Sequence, residues 1–158
     1  MNRLTVQFTQ MLAHLSQQHT PIHNIASVLA QAIVAEGTVF IAAFGEMKAV
    51  IPVALNGLPT AVEWSPSSIV HRTDRVWILA LNDEGDELAG RLADAGIAFA
   101  FVAAHSQESE LADAFFSLND LAGNLLQDDD QPALVPYALA ALYIYYAVKL
   151  SIDDMLGE

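Results

Sequence analysis

The sequence predicts an α/β fold in three layers, a parallel sheet of about five strands with helices on both faces. Three observations carry this. Residues 38–43, 75–81 and 97–103 are rich in Val, Ile, Leu, Phe and Ala with few polar breaks, the mark of strands covered on both faces. Segments with apolar residues at helical spacing precede and separate them. The connections are short, which calls for right-handed crossovers between parallel strands.

Leu4, Phe8, Met11, Leu12 and Leu15 mark a first amphipathic helix ending near Gln18. Thr20 and Pro21 read as the cap and first position of a second helix. Its stripe, Ile22, Ile25, Ala26, Leu29 and Ile33, runs to Gly37, which is expected to close it. Residues 38–43 form a central strand, and a loop at Phe44, Gly45 and Glu46 leads into a short helix over 47–55. Asn56 and Gly57 turn the chain into a weak strand at 60–63, and a polar loop at 65–68 precedes the strand at 75–81. A helix over 83–95 stops at Gly96 and the strand at 97–103 follows. A short helix at 107–113, an edge strand at 114–118 and a final helix from Pro132 to 156 complete the chain. Asp128, Asp129 and Asp130 form a brief acidic loop. The expected organisation is one domain over 1–158, with N-terminal helices in 1–36, a sheet core in 37–120 and a C-terminal helix in 132–156, the strands in flavodoxin-like order.

A length of 158 residues suits one core. With 6 Lys+Arg against 19 Asp+Glu, the net charge of −13 repels phosphate backbones and anionic lipid, so nucleic acid and membrane are excluded as partners. The absence of cysteine removes disulfides, thiolate metal sites and thiol nucleophiles. Together with an N-terminus unlike a signal peptide, it points to the cytoplasm. The uncharged stretch from Pro132 to Val148 is too short for a membrane span and carries all four tyrosines, so it reads as a buried or interface helix.

In open α/β sheets the ligand sits beyond the carboxyl ends of the strands, where the strand order reverses. Two loops qualify: residues 43–48 after the first strand and residues 82–87 after the strand at 75–81. At this point the chain resembles the SIS (sugar isomerase) domain of phosphosugar isomerases and phosphosugar-sensing regulators, with phosphoheptose isomerase nearest in size and plan. Those proteins open with helices packed between subunits, then a strand and glycine-rich turn, then a strand followed by a Ser-x-Ser-Gly-x-Thr type loop and helix. Here residues 37–48 resemble the first unit and 74–96 the second, while residues 96–102 and 110–113 are similar to the family's next strand and the segment before its edge strand. Gly45 and Gly85 stand at family glycines. Ala43 replaces another glycine, Met47 a phosphate-binding serine, and Asn82, Glu84 and Glu87 the usual hydroxyls.

The resemblance implies a sugar-phosphate ligand, a homodimer and isomerase activity or its non-catalytic relic, without a cofactor or metal. It nominates Phe44, Gly45, Met47, Lys48, Asn82, Asp83, Gly85 and Glu87 as ligand-binding, and Glu46 and Glu84 as proton-transfer carboxylates. His71 or His105 is a candidate acid partner, because the final helix contains no histidine. Two readings of the pocket stay open. In one, Lys48, the Gly45 turn and the helix start after Gly85 hold an anionic sugar. In the other, the carboxylates admit only a neutral or cationic ligand, a metal, or nothing. His19 and His23, four residues apart, lack the further ligands of a metal motif. The competing function class is a dimeric scaffold whose acidic loop at 83–87 meets a basic partner.

Overall fold

A computed structural model describes residues 2–121 and 135–157. The sheet has five parallel strands: β1 (Val39–Ala43), β2 (Ala61–Glu63), β3 (Arg75–Leu79), β4 (Phe99–Ala103) and β5 (Ala114–Ser117). Their order, β2-β1-β3-β4-β5, is the expected flavodoxin-like one. The helices are α1 (Arg3–Leu15), α2 (His19–Val34), α3 (Val50–Gly57), α4 (Asp86–Ala95) and α5 (Tyr137–Leu156). Because β2 lies on one side of β1 and β3 on the other, right-handed crossovers send α3 and α4 to opposite faces. The alternation of side chains along each strand splits the core accordingly. Ile41, Trp77, Leu79, Val102 and Phe116 meet α1, α2, α3 and α5, whereas Phe40, Val76, Ile78, Phe99 and Phe101 meet α4.

Several boundaries differ from expectation for local reasons. The second helix begins at His19 with Gln18 as its cap residue, so Thr20 is already helical and Pro21 lies in the first turn, where its missing N–H costs nothing. Glu36, with φ 60°, takes the left-handed position after α2 instead of Gly37. Gly37 is needed for a different contact: a Cβ there would stand 2.1 Å from the Thr73 carbonyl oxygen. Glu36→Gly therefore relieves backbone strain without touching that contact and is expected to stabilise the protein by up to about 1 kcal/mol in chemical denaturation.

The segment expected as one short helix divides into a 3-10 turn at Gly45–Ala49 and α3, with Asn56 and Gly57 inside the last turn. Helix α4 starts three residues late because residues 82–85 form a turn, and it ends at Gly96 in the left-handed conformation as expected. Only Ser109–Leu111 of the 107–113 segment is helical, as a 3-10 turn. The expected helix start at Pro132 and the acidic loop at Asp128 lie outside the described residues, and α5 is seen from Tyr137. Among the described residues, no helix is long and apolar enough to cross a membrane.

Asp74, 5% exposed, secures the amino ends of the two central strands. One carboxylate oxygen accepts from the Thr38 N–H at 2.7 Å, just before β1, and the other from the His71 N–H at 2.8 Å. This leaves the opposite, carboxyl ends of the strands to build a site.

Candidate functional site

The switch point lies between β1 and β3, and both following loops start from a paired backbone: the Phe44 N–H donates to the Leu79 carbonyl at 2.9 Å. From there the chain turns at Gly45, with φ 60°, a conformation that costs glycine little. The 82–85 turn folds against it. The Asn82 N–H donates to Glu84 Oε1 at 2.7 Å, and Glu84 Oε2 lies 3.9 Å from where a Cβ on residue 45 would stand. Phe44 and Glu84, the residues just before the two glycines, both line a cleft of about 320 Å³ with Trp64, Pro66, Glu87, Leu88 and Arg91.

Phe44 and Trp64 form an aromatic wall, their ring centroids 6.4 Å apart at 50°. Trp64 follows β2 and is held to the neighbouring strand by its N–H donating to the Ile41 carbonyl at 2.9 Å. Opposite stand two carboxylates and one guanidinium. Glu87 pairs with Arg91 one turn along α4, both largely exposed, which leaves Glu84 as the lining carboxylate without a cationic partner among the described residues.

Glu46 turns away from the 82–85 turn and accepts the Ala138 N–H at 3.0 Å, satisfying one of the open donors in the first turn of α5. Burial, reinforced by the charge of Glu46, raises the Tyr137 phenol above its ordinary value, so this tyrosine stays protonated at neutral pH. The Met47 side chain is fully buried in the main core, and its N–H is spent on the Phe44 carbonyl, so neither group faces the cleft. Lys48 is exposed on the same 3-10 turn. Gly85 is buried with Ile78 Cγ2 only 2.4 Å from where its Cβ would lie, so its glycine requirement is close packing of α4 on the sheet. Asp83 contributes a backbone carbonyl that accepts the Asp86 N–H. Asp86 binds Ser106 Oγ at 2.6 Å and the Gln107 N–H at 3.0 Å, tying this loop to the one after β4.

Of the histidines, His105 follows β4 and so lies at the site edge of the sheet, its N–H donating to the Leu81 carbonyl. His71 precedes β3 and belongs to the opposite edge, too far along the strands to serve as an acid here. Among the described residues no group of three or more His, Asp or Glu side chains is arranged to hold a metal ion. Trp64, Pro66, Leu88 and Arg91 are the cleft residues that sequence reasoning missed. The available signal was positional: β2 adjoins β1, so the loop after β2 opens on the same edge as the two glycine turns.

A family model described as Domain of unknown function (DUF2529) matches residues 1–156. The chain belongs to this family. No protein of curated function matches it. Among solved structures, the DUF2529 chain is similar to a hypothetical protein from Methanococcus jannaschii whose structure infers a function of 3-hexulose-6-phosphate isomerase, with a TM-score of 0.67 at 14% identity, covering 98% of this chain and 90% of that one. A protein from Listeria monocytogenes proposed to be a sugar-phosphate isomerase follows with 0.65 at 14%, covering 98% and 89%. A protein from Bacteroides fragilis, proposed to be a phosphosugar isomerase involved in capsule formation, gives 0.63 at 13%, covering 98% and 88%. At such identities the likeness is one of fold, and it agrees with the five-stranded parallel sheet described above.

Proposed function

We propose that this chain binds a sugar phosphate in the cleft at the carboxyl ends of its strands, as a SIS-like protein of phosphoheptose-isomerase type or its non-catalytic relative. The observation that carries the reading is the approach of the Gly45 and 82–85 turns beside a cleft lined by Phe44, Trp64 and Glu84. An aromatic wall packs the C–H face of a sugar ring, and a carboxylate accepts its hydroxyls. The carboxylates Glu84 and Glu87 disfavour a phosphate dianion within the cleft, so the phosphate is assigned to its mouth, toward Lys48 and the N–H groups of the Gly45 turn. The solved structures named above support the ligand class through the descriptions they carry. The reading includes a cytoplasmic protein and a homodimer formed through exposed Leu4, Leu12 and Leu150.

Should catalysis accompany binding, Glu84 is the carboxylate placed to move a proton between neighbouring carbons, with Glu46 positioning the start of α5. The scaffold alternative finds less support. Within the acidic loop Glu84 and Asp86 are held by hydrogen bonds from Asn82, Ser106 and Gln107 and Glu87 is paired with Arg91, so these side chains are oriented by the chain itself and not set free for a basic partner.

The test is a thermal-shift series with ketose and aldose phosphates and their unphosphorylated parents. A ligand at about 100 times its Kd adds about 2.7 kcal/mol to the folded state, a rise of roughly 5–10 °C for a chain of this size. Sugar phosphates are expected to give that rise, their parents less, and Trp64→Ala none. Silence toward every sugar phosphate overturns the reading. Deuterium exchange at the carbon next to the carbonyl, lost in Glu84→Gln, separates an isomerase from a binding protein.

A further inference from the structure

A groove between α3 and α5 shares no residue with the cleft above. It has a volume of about 470 Å³ and is walled by Pro52, Val53, Asn56, Gly57, Tyr145, Tyr146 and Lys149. Most of this wall is apolar, yet the hydroxyl of an otherwise buried tyrosine opens on it. Tyr145 is 1% exposed, its ring stacked on Trp77 at 6.4 Å and 23°, while its hydroxyl reaches the groove wall at Gly57. A Cβ on Gly57 would stand 2.0 Å from that oxygen, so the wall is open there only because residue 57 is glycine. The hydroxyl makes no hydrogen bond to any described residue. The oxygen opens on the groove, where a ligand acceptor would take the hydrogen bond that no described residue takes.

We propose that this groove is a second binding site, for a small molecule with an aromatic or branched aliphatic body ending in a carboxylate. The apolar body packs on Pro52, Val53 and the exposed ring of Tyr146. The carboxylate takes the Tyr145 O–H and the Lys149 ammonium, which spends one of its three donors on Asp153 and keeps the others. Charge selects the ligand. Among the described residues Lys149 is the one charged group lining the groove, and pairing with Asp153 leaves two of its donors to face an anion in a chain whose net charge is −13. Burial, then Tyr146 and Asp153, raise the Tyr145 phenol above its ordinary value, so it remains a donor at neutral pH.

The experiment is an amide-resolved NMR titration of the full chain with 3-phenylpropanoate, and with 3-phenylpropylamine as its cationic counterpart. The carboxylate is expected to perturb Asn56, Gly57 and Lys149 saturably with a Kd on the order of 1 mM, as suits a ligand of this size, while the amine does not. Tyr145→Phe, which keeps the ring, should weaken binding about 5-fold, the worth of one hydrogen bond, and Lys149→Met about 10-fold. Asn56→Trp, at an exposed helix position, should fill the groove and abolish binding, whereas Trp64→Ala in the other cleft should leave it intact. Equal binding of the amine, perturbations centred elsewhere, or indifference to Tyr145→Phe and Lys149→Met overturns the proposal. So does a change of assembly mass in Asn56→Trp, which would make the groove a contact between two copies of the chain.

Discussion

Trp77→Ala is expected to destabilise the protein by about 4 kcal/mol, lowering its Tm by roughly 10 °C. Trp77 is fully buried on the middle strand, with Ile41 and Ala100 as its cross-strand neighbours. The small side chain of Ala100 leaves room for the indole, and Tyr145 closes it from the helix side. No element can collapse into the void, because the sheet backbone is fixed by pairing on both edges of β3. Trp77→Phe separates packing from polarity. The indole N–H is buried without a hydrogen-bond partner among the described residues, so its removal forfeits no bond seen there, and the cost should fall to about 1–2 kcal/mol. Equal losses for the two variants in urea unfolding would show that the N–H, and not the ring volume, holds this part of the core.

Asp74→Ala should cost about 3 kcal/mol, because two backbone N–H groups lose a charged acceptor at once. A counter-effect exists: removing one negative charge from a chain of net charge −13 relieves self-repulsion. That relief is spread over the surface and screened by salt, whereas the lost bonds are local and part-buried, so the loss dominates. Asp74→Asn retains an acceptor oxygen and should cost about half as much. The measurement is urea unfolding at two salt concentrations, and a stabilising or neutral Asp74→Ala would remove Asp74 as the tie between β1 and β3. Because the bonds lie at the amino ends of the strands, ligand binding at the opposite edge should survive in whatever fraction stays folded.

The strands were legible because burial on both faces leaves an apolar run that little else in a small acidic protein explains, and β1, β3 and β4 lie within the runs at 38–43, 75–81 and 97–103. Helix ends were less legible. Thr20 and Pro21 look like a start, yet α2 begins at His19, since proline is tolerated anywhere in a first turn. Gly37 looks like a helix stop, yet Glu36 takes the left-handed turn and Gly37 answers to Thr73, thirty-six residues on.

The site divides in the same way. From residues alone came the two glycine turns and their convergence at one edge of a parallel sheet, because crossover handedness and strand order leave a single place for ligand loops. Which side chains face the cleft was decided by partners distant in sequence. Ala138 claims Glu46, the core takes Met47, Ser106 and Gln107 occupy Asp86, and β2 brings Trp64 beside Phe44. A loop side chain has no period to betray its direction, so its orientation follows from whichever donor, acceptor or apolar surface the tertiary fold sets next to it.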